Sequence, residues 1–347
     1  MQLIVLGMHR SGTSAVTHLL NMMGAQVGDA EDMMKPHPAN PKGFWENQHL
    51  VDIDMKLLRQ QGAYWRCVST FDPALCSGAD YDELRGAAEQ FIEQLNETRP
   101  WVIKDPRLCL LMPFWRALLD KPWCVLVHRS PLEVAQSLLH AQGVPLHVGI
   151  ALWEKYTLEA LKGSQGLPRI MIQHHDLMKD PVGSTKMLKA RLEECGMREL
   201  VMPSEEEIVS FVDPTLYREK GTRKREEEFL NLAQRRLLKS LDTDKALSME
   251  AFPELSEGAV ATLVAYDATV AEEAHVSGLS GEVESLRVLS DERKAVIDSQ
   301  SEAFIKQGQE LSELRSLSDN RQGVIEHHEK QLAEKSAALD ELQTLSE

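Results

Sequence analysis

No run of apolar residues in this 347-residue chain approaches the roughly 20 that span a bilayer. The first eight residues are too short for a signal peptide and lack its charged start. Cysteine is sparse: Cys67, Cys76, Cys109, Cys124 and Cys195 make an odd number with no C-x-x-C pair. That leaves no disulfide framework and no cysteine metal site; Cys109 and Cys124 lie in apolar runs and read as small buried hydrophobes. Positive charge is also short. Against 54 acidic residues stand 38 Lys and Arg, a net charge of −16, whereas a nucleic-acid binder needs a basic face. Beyond Ser256 the only aromatics are Tyr266 and Phe304. The expectation is a cytoplasmic protein, at most peripheral to the inner face of the membrane, with no transmembrane segment, nucleic-acid partner or bound metal.

What is present begins at the N-terminus. Gly7-Met8-His9-Arg10-Ser11-Gly12-Thr13-Ser14 follows the short apolar run Leu3-Ile4-Val5-Leu6. The run reads as a buried strand, and Ala15 to Met23 as a helix that Thr13 and Ser14 can cap. Strand, glycine turn and helix start together form an anion cradle, because free N–H groups and the positive dipole end point into it. The spacing is the G-x-x-x-x-G of a nucleotide P-loop. Thr13, however, stands where an ATPase or kinase carries the lysine that reaches the β- and γ-phosphates. With Arg10 inside the loop instead, the cradle suits a different phosphate; the alternative is a plain structural turn.

A second motif follows the strand-like run Trp123-Cys124-Val125-Leu126-Val127: His128-Arg129-Ser130-Pro131, then a helical stretch with Ser137 eight positions after Arg129. An arginine at a strand end offers a planar fork to a dianionic phosphate. Ser137, about two turns into the next helix, can complete that pocket. Both motifs end strands, where ligands bind in open α/β sheets.

The two motifs resemble those of sulfotransferases that use 3′-phosphoadenosine 5′-phosphosulfate (PAPS). In that family a basic residue before Ser/Gly-Gly-Thr meets the oxygen bridging phosphate to sulfate, and Arg10 matches it. Arg129 and Ser137 match the 3′-phosphate motif. Trp101-Val102-Ile103-Lys104-Asp105-Pro106-Arg107 resembles the Lys-Asp-Pro-Arg segment of bacterial sulfotransferase-like proteins, and Asn40-Pro41-Lys42-Gly43-Phe44-Trp45-Glu46-Asn47 another stretch of that group. The likeness covers roughly residues 1 to 215 and weakens beyond Asp180.

The resemblance implies PAPS as co-substrate, no metal, and a hydroxyl acceptor on a carbohydrate, glycolipid or other cell-surface glycan. It implies that backbone N–H groups of Ser11, Gly12, Thr13 and Ser14 hold the 5′-phosphate. Arg10 then stabilises charge on the sulfate and leaving phosphate, Arg129 and Ser137 take the 3′-phosphate, and Lys104 is a second cation. Arg107 reads as a structural ion pair. Cytosolic members carry a histidine base after a lysine, and Lys104-Asp105-Pro106 has none. Glu46 is therefore the candidate base, by analogy with a glutamate after the loop-helix unit in several carbohydrate and protein sulfotransferases; Asp105 is the alternative. Two other classes stay open: a P-loop kinase or phosphotransferase, against which Thr13, Arg129 and Ser137 speak, and a catalytically silent coiled-coil scaffold.

The chain has room for one core of about 200–250 residues plus an appendage. Strands near 3–6, 101–103, 123–127 and 169–173 alternate with helices near 13–23, 47–61, 80–96, 110–119, 131–142, 147–162 and 181–195. This order predicts an α/β, P-loop-type parallel sheet covered on both faces over residues 1–255, followed by a helical tail at 256–347. In the tail Val283, Ser290, Ile297, Phe304, Leu311, Ser318, Ile325, Leu332, Leu339 and Ser346 recur every seven residues. The segment 286–293 returns at 314–321, an offset of 28 residues, or four heptads. The companion positions, which include Arg293, Arg321 and Lys335, are largely polar, so the seam is imperfect. A coiled coil through this tail, hence a homo-oligomer or another helical partner, is expected; the alternative is a long solvated helix or linker.

Overall fold

The computed structural model describes residues 1–35, 43–212 and 225–344. Asn40, Pro41 and Lys42 lie outside the described residues. Strand β1 (Gln2–Leu6) pairs in parallel with β2 (Trp101–Lys104) on one side and with β3 (Pro122–His128) on the other. Strand β4 (Arg169–Gln173) extends the sheet beyond β3. The register sets Ile4 beside both Ile103 and Cys124.

Every residue of β1 is buried, because helices cover both faces, and that is why the strands read as continuous apolar runs. Ile4, Leu6, Ile103, Leu126 and Met171 face one core. It is completed by helices α2 (Gln48–Gln60), α3 (Asp82–Asn96), α4 (Leu108–Arg116), α5 (Pro131–Gln142) and α6 (Leu146–Gly163). Leu3, Val5, Val102, Val125, Ile170 and Ile172 face the other. There α1 (Thr13–Met22), α7 (His174–Lys179), α8 (Pro181–Glu194) and α9 (Glu205–Phe211) pack. The chain leaves β1 toward β2 and then crosses back over to β3. The sheet thus has its topological switch point between β1 and β3, where the crevice of an open α/β fold opens.

The expected strands and helices are all present, with ends moved by up to three residues. Helices α7, α9, α10 (Glu226–Phe229) and α11 (Leu232–Asp242) come in addition. The first three are too short to display a helical period. Helix α11 carried a readable signal: an Asn231/Gln234 capping box followed by Leu237 and Leu241, both buried.

The described chain divides into two units, Met1–Ala271 and Glu272–Glu347. Helix α12 (Glu257–Thr344) begins inside the first. Ala259 and Leu263 are buried in its core, and the backbone N–H of Ser69 donates to Oδ2 of Asp267 at 2.8 Å. The composition changes at Ser256, but the first turns of α12 still carry core residues, so the compact unit runs past residue 255. The second unit, taken by itself, is helical. Its apolar series Val283, Ile297, Phe304, Leu311, Ile325, Leu332 and Leu339 is exposed, Phe304 by 78%. No described helix is long and apolar enough to cross a membrane.

Candidate active site

The loop from β1 to α1 turns on two glycines. A Cβ on Gly7 would sit 2.8 Å from the carbonyl oxygen of Val127 and from Cγ2 of Thr13. Gly12, at φ 90°, caps α1, and a Cβ there would lie 2.4 Å from Cδ2 of His174. The first N–H groups of a helix have no carbonyl partner within it, so the start of α1 forms a donor-lined head to the loop. Arg10 is itself left-handed, φ 70°, a conformation that non-glycine residues seldom adopt. That turn aims its carbonyl oxygen at Arg129, whose Nη1 donates to it at 2.8 Å. The Arg10 Nε donates to Oγ of Ser137 at 3.0 Å. Residues 119 and 127 positions apart therefore meet at the β1–β3 switch point.

Three neighbours hold this group. The Nε of Arg129 donates to Oε2 of Glu133 at 3.1 Å, both side chains being under 10% exposed. The indole Nε1–H of Trp153 donates to the Arg129 carbonyl at 3.2 Å. His174 is buried against Gly12. Burial first, then the Arg129 charge, hold its imidazole well below its ordinary pKa, so it is neutral at pH 7 and adds no charge beside the arginine.

A second group forms at the end of β2. Lys104, 1% exposed, donates from Nζ to Oε1 of Glu46 at 2.5 Å and to Oγ of Ser14 at 3.3 Å. The Ser14 hydroxyl in turn donates to the Phe44 carbonyl at 2.9 Å. Burial pushes the Glu46 carboxyl above its ordinary pKa, opposed in part by Lys104. A buried carboxylate raised toward neutrality and joined to a cation is suited to proton transfer.

Asp105 has a different environment. It is 0% exposed and accepts from the Arg107 backbone N–H at 2.9 Å and from Arg107 Nη1 at 2.7 Å. The reading of Arg107 as an ion-pair residue agrees with this contact. Behind Asp105 lies Asp54 of α2, also fully buried, whose Oδ1 accepts from the indole Nε1 of Trp115 at 2.7 Å. Burial and then the Asp105 charge drive the Asp54 carboxyl well above its usual range. These contacts turn Asp105 toward Arg107 and a packed interior.

The structure thus gathers Arg10, Arg129 and Ser137 into one group and Ser14, Lys104 and Glu46 into another, with Ser11, Gly12 and Thr13 in the loop that joins them. Glu133, Asp54 and His174 were missed in the sequence. Glu133 carried a signal, four residues after Arg129 on a helix. Asp54 lies in the apolar stripe of α2, and nothing in the sequence pairs His174 with Gly12. Among the described residues no cluster of His, Cys, Asp or Glu could hold a metal ion.

A glycine loop closes on a helix start and faces an arginine and a serine across the switch point of a parallel sheet, in an α/β fold. The model of the sulfotransferase family matches residues 2–195, more than half of the chain, and the chain belongs to that family. Similar solved structures include the sulfotransferase domain from the curacin biosynthetic pathway, at 18% identity over 76% of this chain and 96% of that one, TM-score 0.39. A sulfotransferase from Mycobacterium avium shares 15% identity over 74% of this chain and 78% of its own, TM-score 0.39. The sulfotransferase domain of the Synechococcus PCC 7002 olefin synthase shares 14% over 77% and 94%, TM-score 0.36. No curated protein matches the chain.

Proposed function

We propose that the protein transfers a sulfuryl group from PAPS to a hydroxyl of a carbohydrate or glycolipid acceptor. The contact that carries this reading is Arg10, which joins Ser137 through its side chain and Arg129 through its carbonyl. One loop thereby links the 5′- and 3′-phosphate motifs. Loop N–H groups from Gly12 to Ser14 hold the 5′-phosphate, the expected Ser11 N–H being bonded to the Met8 carbonyl at 3.1 Å, and Arg129 with Ser137 hold the 3′-phosphate. Sulfuryl transfer, like phosphoryl transfer, is mostly positioning and charge stabilisation. Glu46 takes the acceptor proton as the acceptor oxygen bonds to sulfur. The bond from sulfur to the bridging oxygen breaks, and its electron pair stays on the 5′-phosphate, where Arg10 stabilises the charge. Lys104 lies between Glu46 and Ser14 and offers the second cation. The products are a sulfate ester and adenosine 3′,5′-bisphosphate.

The test is thermal shift. Adenosine 3′,5′-bisphosphate is expected to raise the melting temperature without added metal, by a free energy RT ln(1 + [L]/Kd). Equal or greater stabilisation by ATP with Mg²⁺, and none by the bisphosphate, would mark a phosphotransferase instead.

We also propose that the exposed stripe on α12 pairs with a second copy of this chain. The 28-residue repeat sets Val283, Leu286 and Ile297 in the same spacing as Leu311, Leu314 and Ile325, and a copy of this helix offers the same period. An apolar stripe on one helix cannot be buried without a partner. Arg293, Arg321 and Lys335 would face their own copies in a parallel register, which favours an antiparallel one. Light scattering on the full chain at tens of micromolar is expected to give a dimer that Leu311→Asp dissociates; a monomeric wild type would refute the pairing.

A further inference from the structure

We propose that His9 is a catalytic residue of this site that presents its Nε2 to an oxygen of the sulfuryl group in transit. The inference deepens the reading above and rests on it. His9 and Arg10 are neighbours in the loop, yet their side chains diverge. The Arg10 guanidinium goes to Ser137, whereas the His9 ring stacks on Trp65, centroids 4.5 Å apart and tilted 45°, and meets the edge of Tyr156 at 5.8 Å. The Tyr156 hydroxyl donates to the Trp65 carbonyl, which fixes that wall. Two aromatic contacts hold the imidazole in place, but among the described residues no protein group bonds its Nε2, which is sealed from solvent. Native proteins rarely leave a buried polar atom unsatisfied, and such atoms concentrate where a ligand completes them.

The charges around the ring identify that ligand. The charges that act on it are Arg107, Lys104 and Arg10; Asp105 pairs with Arg107 and Glu46 with Lys104, and Arg10 donates to the neutral Ser137 hydroxyl. With burial, the three cations keep the imidazole neutral at pH 7, so its Nε2 can carry a proton and donate it in a hydrogen bond. A neutral donor beside Arg10 and Lys104 fits an oxygen of an anionic tetrahedral group. The loop N–H groups and Arg129 take the two phosphates of the donor, which leaves the sulfuryl group for the space between Arg10 and Lys104, beside His9.

The test compares two ligands that differ by that group alone. Dissociation constants for PAPS and for adenosine 3′,5′-bisphosphate are measured by calorimetry on the full chain and on His9→Phe, which keeps an aromatic ring against Trp65 and Tyr156. The variant is expected to bind the bisphosphate within about twofold of wild type and PAPS roughly tenfold more weakly, the scale of a hydrogen bond to a charged group. Its melting temperature should not fall, because the substitution removes an unsatisfied buried nitrogen. Equal losses for both ligands, or no loss for either, would overturn the assignment. If His9→Phe does not fold, His9→Asn is read by the same two constants, and failure of both to fold makes His9 structural. A wild-type chain that binds neither ligand defeats the PAPS reading itself. A wild type that binds both, beside an unaffected variant, defeats only the role of His9.

Discussion

Glu46→Gln is expected to lower turnover by about 10²–10⁴-fold, the scale of a lost general base, while affinity for adenosine 3′,5′-bisphosphate stays nearly unchanged. The substitution keeps the size of the side chain and its carbonyl oxygen, so Lys104 retains an acceptor at the position it now reaches at 2.5 Å. What is lost is the ability to take a proton. The pH dependence provides a second readout. Burial raises the Glu46 pKa above its ordinary value, and a base works only when deprotonated. Activity should therefore fall as pH drops through that raised pKa, placing the acid limb of the kcat/KM profile above the usual carboxylate range, and Glu46→Gln should remove the limb. Asp105→Asn is expected to behave differently. It leaves Arg107 buried without its counter-charge, a loss of about 3–5 kcal/mol in stability, visible in the melting temperature before it appears in turnover. Near-wild-type turnover in Glu46→Gln, beside a folded but inactive Asp105→Asn, would transfer the proton to Asp105.

The separate behaviour of these two carboxylates marks the limit of what the sequence could tell. Strands were legible because a parallel strand buried on both faces is an unbroken apolar run, and Leu3 to Leu6, Val102 to Ile103 and Val125 to Val127 are such runs. The loop was legible because Gly7 and Gly12 stand where a Cβ collides or φ is positive, a demand that few residue types meet. The contact of Arg10 with Ser137 is another matter. It crosses 127 positions and depends on which strands are neighbours, which no local pattern encodes. Glu46 was the candidate base and Asp105 the alternative, by analogy and not by any local pattern. Burial and partners tell them apart: Asp105 is tied by Arg107 and backed by Asp54, whereas Glu46 meets Lys104 beside the loop serine. Asp54 shows the same limit. An aspartate among Leu50, Val51, Ile53 and Leu57 contradicts the apolar face of its helix, and only Trp115 and Asp105 explain why it is there.

Arg129→Ala is expected to weaken binding of adenosine 3′,5′-bisphosphate by about 1.5–3 kcal/mol, the range of a charge-assisted hydrogen bond, and to destabilise the fold as well. The second effect comes from Glu133, whose side chain is 5% exposed and bonds Arg129 at 3.1 Å. Breaking a buried ion pair by removing one member costs about 3–5 kcal/mol. A single substitution thus confounds lost binding with lost structure. The double variant Arg129→Met, Glu133→Leu separates them, because replacing both members of a buried pair with apolar groups of similar volume is often neutral or stabilising. Its melting temperature is expected near that of wild type, with bisphosphate binding still lost. Wild-type affinity in a folded double variant would make the pair structural and move the 3′-phosphate elsewhere. Conversely, Glu133→Gln in the wild-type background should keep binding, since the amide oxygen still accepts from Nε and Arg129 still reaches the Arg10 carbonyl. The carboxylate's place in the site is then to orient the guanidinium before the ligand arrives, which lowers the entropy of ordering it on binding.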